Sequence, residues 1–288
     1  MILNPSADNN SQSIIIGVQE CKTLNNPLHY HLDYYELTYI EGGKGIIIIG
    51  DKIQEFSGND LVLVPPRVPH TWISFKNREL TGAYRFRYIT LQFTLEFFGE
   101  ELLLRPEMSN IRRLLVAAER VVILKGINVN AIINELFNLK LESDFNTYIQ
   151  ILEIFNRLGM GVELSQLLES QYLYRGNRKD LAKFEKVFGY ILGNYTQRIR
   201  VSEPARILGL NDTAFSHYFR KRTGKSFTDF INELRLLESD ALVRNTHKKI
   251  ARISSECGFN NLSNFNRLYK NSIGMTPVEK RKASHISN

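Results

Sequence analysis

Near the C-terminus, two groups of side chains have the types and spacing needed to read a hydrogen-bonding edge. In "NDTAFSHYFRKRTG", residues 211 to 224, Phe215 and Phe219 stand four apart and share one helical face, leaving Thr213, Ser216, His217 and Arg220 on the others. In "NLSNFNRLYKNSIG", residues 261 to 274, Phe265 and Tyr269 repeat that spacing and leave Leu262, Ser263, Asn266 and Arg267 free. Hydroxyls, an amide, an imidazole and guanidinium groups donate and accept hydrogen bonds, and Arg presents paired donors that match either a guanine edge or a phosphate. The aromatic face must be core, so Arg267, two residues from each buried ring, points away from it.

The elements that would hold these groups repeat at an offset of fifty residues. Phe215 falls on Phe265, Phe219 on Tyr269, Gly224 on Gly274, Asn211 on Asn261, His217 on Arg267 and Arg220 on Lys270. Two copies are too few for a solenoid, so the pattern is a duplicated small unit. Each copy has a short amphipathic segment, a break containing glycine, an Asn placed to cap, and a second helix. Two short helices joined by a tight turn, the second displaying small polar groups and a cation, describe a helix-turn-helix that enters the DNA major groove. Between the copies, "SFTDFINELRLLESDALVRN" carries Phe227, Phe230, Ile231 and Leu234 at helical spacing. About eighteen residues make a rod of roughly 27 Å, which suits two readers on successive turns of one duplex face.

Charge divides the same way. The chain has 288 residues and a formal charge of +7, with 21 Lys and Arg against 10 Asp and Glu from Arg178 onward. The preceding 177 residues hold 16 against 20. A basic block on a mildly acidic partner points to a polyanion at the C-terminal part, with a solvated basic surface as the plain alternative. No apolar run reaches the roughly 20 residues of a bilayer span, and a signal-peptide pattern is lacking, so a cytoplasmic protein without membrane contact is expected. Two cysteines, Cys21 and Cys257, cannot build a disulfide framework or a cysteine-based zinc site.

From Ile199 to Arg281 the chain resembles the C-terminal domain of AraC/XylS-type bacterial transcription regulators. The resemblance rests on "A..LG" at 205 to 209, Phe215, "FRK..G" at 219 to 224, "LRL" at 234 to 236, "GF" at 258 to 259, "F.R.YK" at 265 to 270 and "G.TP...R" at 274 to 281. Pro204, Ser239, Ser254 and Lys280 depart from the family pattern, and Pro204 suggests a short first helix that begins at a Ser202 cap. The family implies double-stranded promoter DNA as partner, a homodimer, and room for RNA polymerase as a further contact.

Residues 14 to 95 alternate apolar runs with turn residues: "SIIIGV", "ELTYI", "GIIIIG", "LVLVPP", "TWISF" and "RYITLQF". Short strands at regular spacing read as a β-barrel or double-sheet roll. "HYHLDYYELTYIEGGKG" followed by "FSGNDLVLVPPRVPH" is similar to the two motifs of the cupin fold. In cupin enzymes those motifs supply metal ligands, and the matching positions here are His29, His31, Glu36 and His70. Three imidazoles and a carboxylate suit Fe, Mn, Ni or Zn. Against a metal, Arg67 replaces the usual glycine and places a cation nearby, so no metal and no cofactor is assigned. The expected ligand site is an organic pocket of His29, His31, Tyr35, Glu36, His70 and Trp72, with Tyr34, Tyr39 and Tyr84 adding aromatic surface.

Between about residues 97 and 171, apolar stripes in "IRRLLVAAERVVIL", "VNAIINELFNLKL" and "FNTYIQILEIFNRLG" read as helices; the family resemblance implies that they pair two subunits, and the plain alternative is that they only cover the barrel. "YRGNRKD" at 174 to 180 reads as the linker. The expected architecture is therefore α+β and multidomain: a cupin-like β-barrel at 1–96 that senses a small-molecule effector, a helical dimerisation segment at 97–173, and an all-α double helix-turn-helix at 178–288. The function expected is sequence-specific DNA binding without catalysis. Two rivals stand beside it: a metal-dependent cupin oxygenase or isomerase with a DNA-binding tail, and a DNA-binding protein whose barrel only dimerises.

Overall fold

Strand alternation in the N-terminal half sorts its side chains between two layers. The computed structural model describes residues 13–56, 58–77, 86–125, 129–139, 145–161, 163–171 and 178–286. β1 (Ile14–Cys21), β2 (Tyr35–Glu41), β3 (Gly45–Ile49), β4 (Lys52–Phe56), β5 (Asp60–Val64), β6 (His70–Ser74) and β7 (Phe86–Phe93) come first. They are followed by α1 (Glu100–Leu103), α2 (Ser109–Ala118), β8 (Val122–Lys125), α3 (Val129–Asn138), α4 (Phe145–Gly161) and β9 (Glu163–Gln166). One sheet runs β1-β7-β2-β5-β8-β9 and the other β4-β3-β6, with every pairing antiparallel.

Leu37, Tyr39, Leu61, Leu63, Leu91 and Phe93 share a core with α2, α3 and α4. Ile40, Val62, Val64 and Phe86 share the inter-sheet core with Ile47, Ile49 and Trp72 of the smaller sheet. Successive strand residues point to opposite faces, so this division follows from parity.

The segment from 97 to 173 is not purely helical. α2 ends at Ala118, Val121 takes φ 54°, and "VILK" becomes β8, pairing with β5 on one side and β9 on the other. A short apolar run cannot be assigned to helix or strand by periodicity alone, and here the open edge of β5 decides it. The segment is thus built into the larger sheet. β4 was also not expected, and Tyr84 and residues 174–177 of the expected linker lie outside the described residues.

In the C-terminal part, α5 (Arg178–Asn194), α6 (Ser202–Ile207), α7 (Asp212–Thr223), α8 (Phe227–Asn245), α9 (Ile250–Glu256), α10 (Leu262–Ile273) and α11 (Pro277–Ile286) follow one another. Asn211 and Asn261 cap α7 and α10 by accepting from Ala214 N and Asn264 N, at 2.8 and 2.9 Å. Gly224 and Gly274 end the same helices with φ of 71° and 83°, the left-handed exit that glycine permits. α6 is short, as Pro204 suggested, although its cap is Val201 and Ser202 is already helical.

The isoleucine run of β3 is buried on both faces. Ile47 and Ile49 face the inter-sheet core, while Ile46 and Ile48, with Ile53, Leu28, Ile73 and Phe75, join the core of the C-terminal helices. Polar contacts frame that junction. Arg244 of α8 bonds both Glu55 of β4 and Asp240, whose other oxygen accepts from Tyr269 of α10. Asn77 donates to Glu238 and to Glu256, and Lys44 donates to Asn245.

Candidate functional site

The two exposed helix faces come out as their aromatic spacing requires. Phe215, Phe219, Phe265 and Tyr269 are fully buried, while Thr213, Ser216, His217 and Arg220 on α7 and Leu262, Ser263 and Arg267 on α10 are exposed. Asn266 is half-buried. Arg267 donates to Asn264 one turn back at 2.9 Å, whereas Glu256 is engaged by Lys248, Arg252 and Asn77. Its guanidinium therefore has no acidic partner on this helix, whose sequence contains no acidic residue. Arg222, on the flank of α7, is different: it forks onto Asp180 of α5 and stacks over Tyr218 at 3.6 Å, fixing α7 against α5.

The second constellation lies at one end of the inter-sheet space. β2 brings Glu36 inward, β6 brings His70, and the segment before β2 returns beside β6 so that His29 and His70 exchange both backbone hydrogen bonds, at 3.1 and 2.8 Å. The Nε2 atoms of His29, His31 and His70 lie 3.7, 2.8 and 3.4 Å from the Glu36 carboxylate. Thr38 Oγ1 and Gln92 Nε2 donate to the same carboxylate at 2.8 and 3.1 Å. Gln92 was not anticipated; it sits opposite Glu36 in the β2–β7 register, a pairing that only the assembled sheet reveals. Arg67 takes a left-handed backbone, φ 64°, a conformation glycine adopts without strain, and its N donates to His31 O at 2.7 Å. The residue is exposed, so the cation expected to oppose a metal is at the surface.

Burial raises the pKa of Glu36, but the His70 charge and the imidazole hydrogen bonds outweigh it and hold the carboxyl well below the usual range. For His29, burial pulls down and Glu36 pulls up, with a net rise. His70 is depressed by burial and by the neighbouring His29. The result is an ionised carboxylate among imidazoles, with His29 easier and His70 harder to protonate than a free imidazole.

Tyr35 and Trp72 do not complete an organic pocket. Tyr35 is one residue out of phase with Glu36 and stacks on Phe93 on the helix-covered face, at 5.3 Å and 9°. Trp72 shares a face with His70 and meets it edge-on at 5.3 Å, but it is 2% exposed within the inter-sheet core. Tyr39 is also core, with its hydroxyl on Asn59.

Two family matches fall on these two sites. Residues 204–283 match a helix-turn-helix domain, and residues 17–146 match the AraC-like ligand binding domain. The chain belongs to the AraC-type transcription regulators. It is 25% identical to the Msm operon regulatory protein of Streptococcus mutans, over 87% of this chain and 84% of that protein. It is 21% identical to the HTH-type transcriptional activator RhaR of Mannheimia succiniciproducens, over 88% of this chain and 87% of that one. An uncharacterized HTH-type regulator of Bacillus subtilis, YobQ, is 33% identical over 31% of this chain and 36% of its own. The regulator is thus a DNA-binding transcription protein with a cupin-like ligand-binding domain. Its helix-turn-helix match contains α7 and α10, and its ligand-binding match contains all four residues of the His/Glu cluster. No described helix of the regulator is long and apolar enough to cross a membrane.

Proposed function

We propose that the regulator reads double-stranded promoter DNA with both helix-turn-helix units and takes its effector at the His29–His31–Glu36–His70 cluster. α7 offers Thr213, Ser216, His217 and Arg220 to one stretch of major groove; α10 offers Leu262, Ser263, Asn266 and Arg267 to the next. The observation that carries the reading is the twin geometry: two capped helices, each with its aromatics buried and its polar face exposed, flanking a rod of nineteen residues. At 1.5 Å per residue that rod is about 28 Å long.

Effector binding would act through the junction of the smaller sheet with α8, where the Glu55–Arg244–Asp240–Tyr269 chain joins β4 to the second reader. A homodimer is supported by apolar side chains left exposed on α2 and α4, namely Val116, Phe145, Ile149 and Met160. RNA polymerase fits as a further partner of a promoter-bound protein, and the cytoplasm as its compartment. We assign the chain no catalytic role.

The basic C-terminal half makes salt the first test. Between 50 and 200 mM salt, the affinity of the full chain for duplex DNA should fall by about a thousandfold or more, through release of counterions from neutralised phosphates. Fluorescence anisotropy on a labelled duplex measures this, and an affinity flat in salt would remove the assignment.

A further inference from the structure

On the outer side of the strands that carry the His/Glu cluster, the two halves of the chain do not close completely. The segment before β2, the end of β6 and the C-terminal end of α5 enclose a groove of about 450 Å³, a size that suits a small molecule. Leu28, Phe75 and Leu192, buried in the core that the halves share, give it apolar walls. Asn25 and Asn26 add side-chain amides, each able to donate and to accept.

One wall is bare backbone. Gly189 and Gly193 stand one turn apart on α5 and both line the groove, and a Cβ added to either meets nothing within 4 Å. Glycine weakens a helix relative to alanine, and here no neighbour requires its small size. The missing side chains leave room for a ligand to lie along the helix.

The two ends of the groove carry opposite charge. At one end, Lys76 Nζ donates to Gly193 O at 3.0 Å, which leaves its other N–H donors for a ligand. Glu185 lies one turn before Gly189 on the same face of α5. It is half-buried, and burial raises its carboxyl pKa against the pull of the His29 charge, which sets it at the His29 end. Among the described residues no Lys or Arg pairs with it. From Glu185 to Gly193 the helix rises roughly 12 Å. A matching ligand has a cation at one end, an anion at the other, polar groups for two amides and an apolar body between.

We propose that the groove between β6 and α5 binds a short peptide with free termini. Its ammonium would meet Glu185 and its carboxylate Lys76, with the amides of Asn25 and Asn26 on its backbone and an apolar side chain against Leu28, Phe75 and Leu192. An extended chain rises roughly 3.3 Å per residue, so about three or four residues span the two charges. The site is separate from the His/Glu cluster and does not rest on reading that cluster as the effector site. α5 is fixed to α7 through Asp180 and Arg222, so a peptide in the groove bears on the element that holds the first reader.

The test is equilibrium dialysis of the untagged full chain against a pooled library of tripeptides and tetrapeptides with free termini, with retained peptides identified by mass spectrometry. The wild-type chain should retain one equivalent, enriched in peptides that carry an apolar residue. N-acetylation or C-amidation of the best-retained peptide should each weaken binding about tenfold, the loss of one charge-assisted contact. Gly189→Leu should abolish retention, because its side chain fills the groove while the helix has room for its Cβ. Lys76→Met and Glu185→Gln should each weaken binding about tenfold, and Glu185→Gln should erase the effect of N-acetylation. Glu36→Gln, in the His/Glu cluster, should leave retention unchanged. Circular dichroism reports whether each variant has folded, and Glu185→Gln, which preserves shape, carries the test if Gly189→Leu has not.

No retained peptide, retention that survives Gly189→Leu with the helices intact, or capped termini bound as tightly as free ones would overturn the proposal. Loss of retention in Glu36→Gln would move the peptide to the His/Glu cluster and overturn the groove as its site. The dialysis contains no DNA, so neither result bears on the DNA-reading assignment.

Discussion

Replacing Phe219 with alanine should destabilise the DNA-binding half by about 3 to 5 kcal/mol, the cost of truncating a fully buried phenylalanine. Phe219 is 0% exposed and forms the centre of an aromatic group. Its ring lies 5.3 Å from Phe230, 5.6 Å from Phe227, 5.7 Å from Phe215, and 6.3 Å from both Phe184 and Phe188. Those partners come from α5, α7 and α8, so one cavity would loosen three helices together. Neighbours that are themselves large rings held on separate helices cannot readily collapse into the space, which places the cost toward the upper end.

The measurement should use far-UV circular dichroism, which follows the helices, beside fluorescence of the single tryptophan, Trp72, which sits in the sensor core. The helical transition should move to lower denaturant ahead of the fluorescence transition. If both stayed in place, Phe219 would not be the keystone described.

The second large effect is expected at Gly258. Its φ is +87°, and a Cβ added there would stand 2.7 Å from Thr196 O and 3.0 Å from Arg235 Nε. The obstructing chain cannot retreat easily, because Arg235 holds Tyr195 O and Gln197 O on either side of Thr196, both at 2.6 Å. Gly258→Ala therefore combines left-handed backbone strain with a clash against fixed main chain, about 2 to 5 kcal/mol in all. Phe259 follows immediately and packs on Phe265 at 5.0 Å, so relief of the clash would tilt α10 and weaken DNA binding. Gly274→Ala is the control: its φ is +83°, but an added Cβ meets nothing within 4 Å. That variant should lose only about 1 to 2 kcal/mol. Equal losses at both positions, measured by urea unfolding, would show that the contact with Thr196 is not real.

The contrast between these glycines shows which features can be read from sequence. Aromatics four apart, an Asn before them and a Gly after them are local signals, and they placed α7 and α10 because helix capping and burial act within about a dozen residues. β1, β2, β3, β5, β6 and β7 were legible for the same reason, through alternation and turn residues, whereas β4 was not. "VVIL" was not, because its strand form depends on the free edge of β5 about sixty residues earlier in the chain. Tyr35 and Trp72 were drawn into the ligand site by closeness in sequence to Glu36 and His70. Parity sends Tyr35 to the other face, and the inter-sheet core encloses Trp72.

Gln92 became visible only once β2 and β7 were in register, and the Glu55–Arg244 contact only once the two halves were docked. The His29–His31–Glu36–His70 set was legible through its resemblance to a fold. The reading that assigns it no metal leans on Arg67, which has φ 64° and is exposed.

That α7 and α10 read bases in two successive stretches of major groove is tested most directly by selection of bound duplexes from a random library with the full chain, followed by sequencing. The account predicts an enriched site in two parts about ten base pairs apart, one for each reader. Arg267→Ala, run in parallel, should relax one base pair in the part read by α10, at a cost of about 1 to 3 kcal/mol, and leave the α7 part unchanged. No enriched site, or the same site at the same strength with Arg267→Ala, would contradict it.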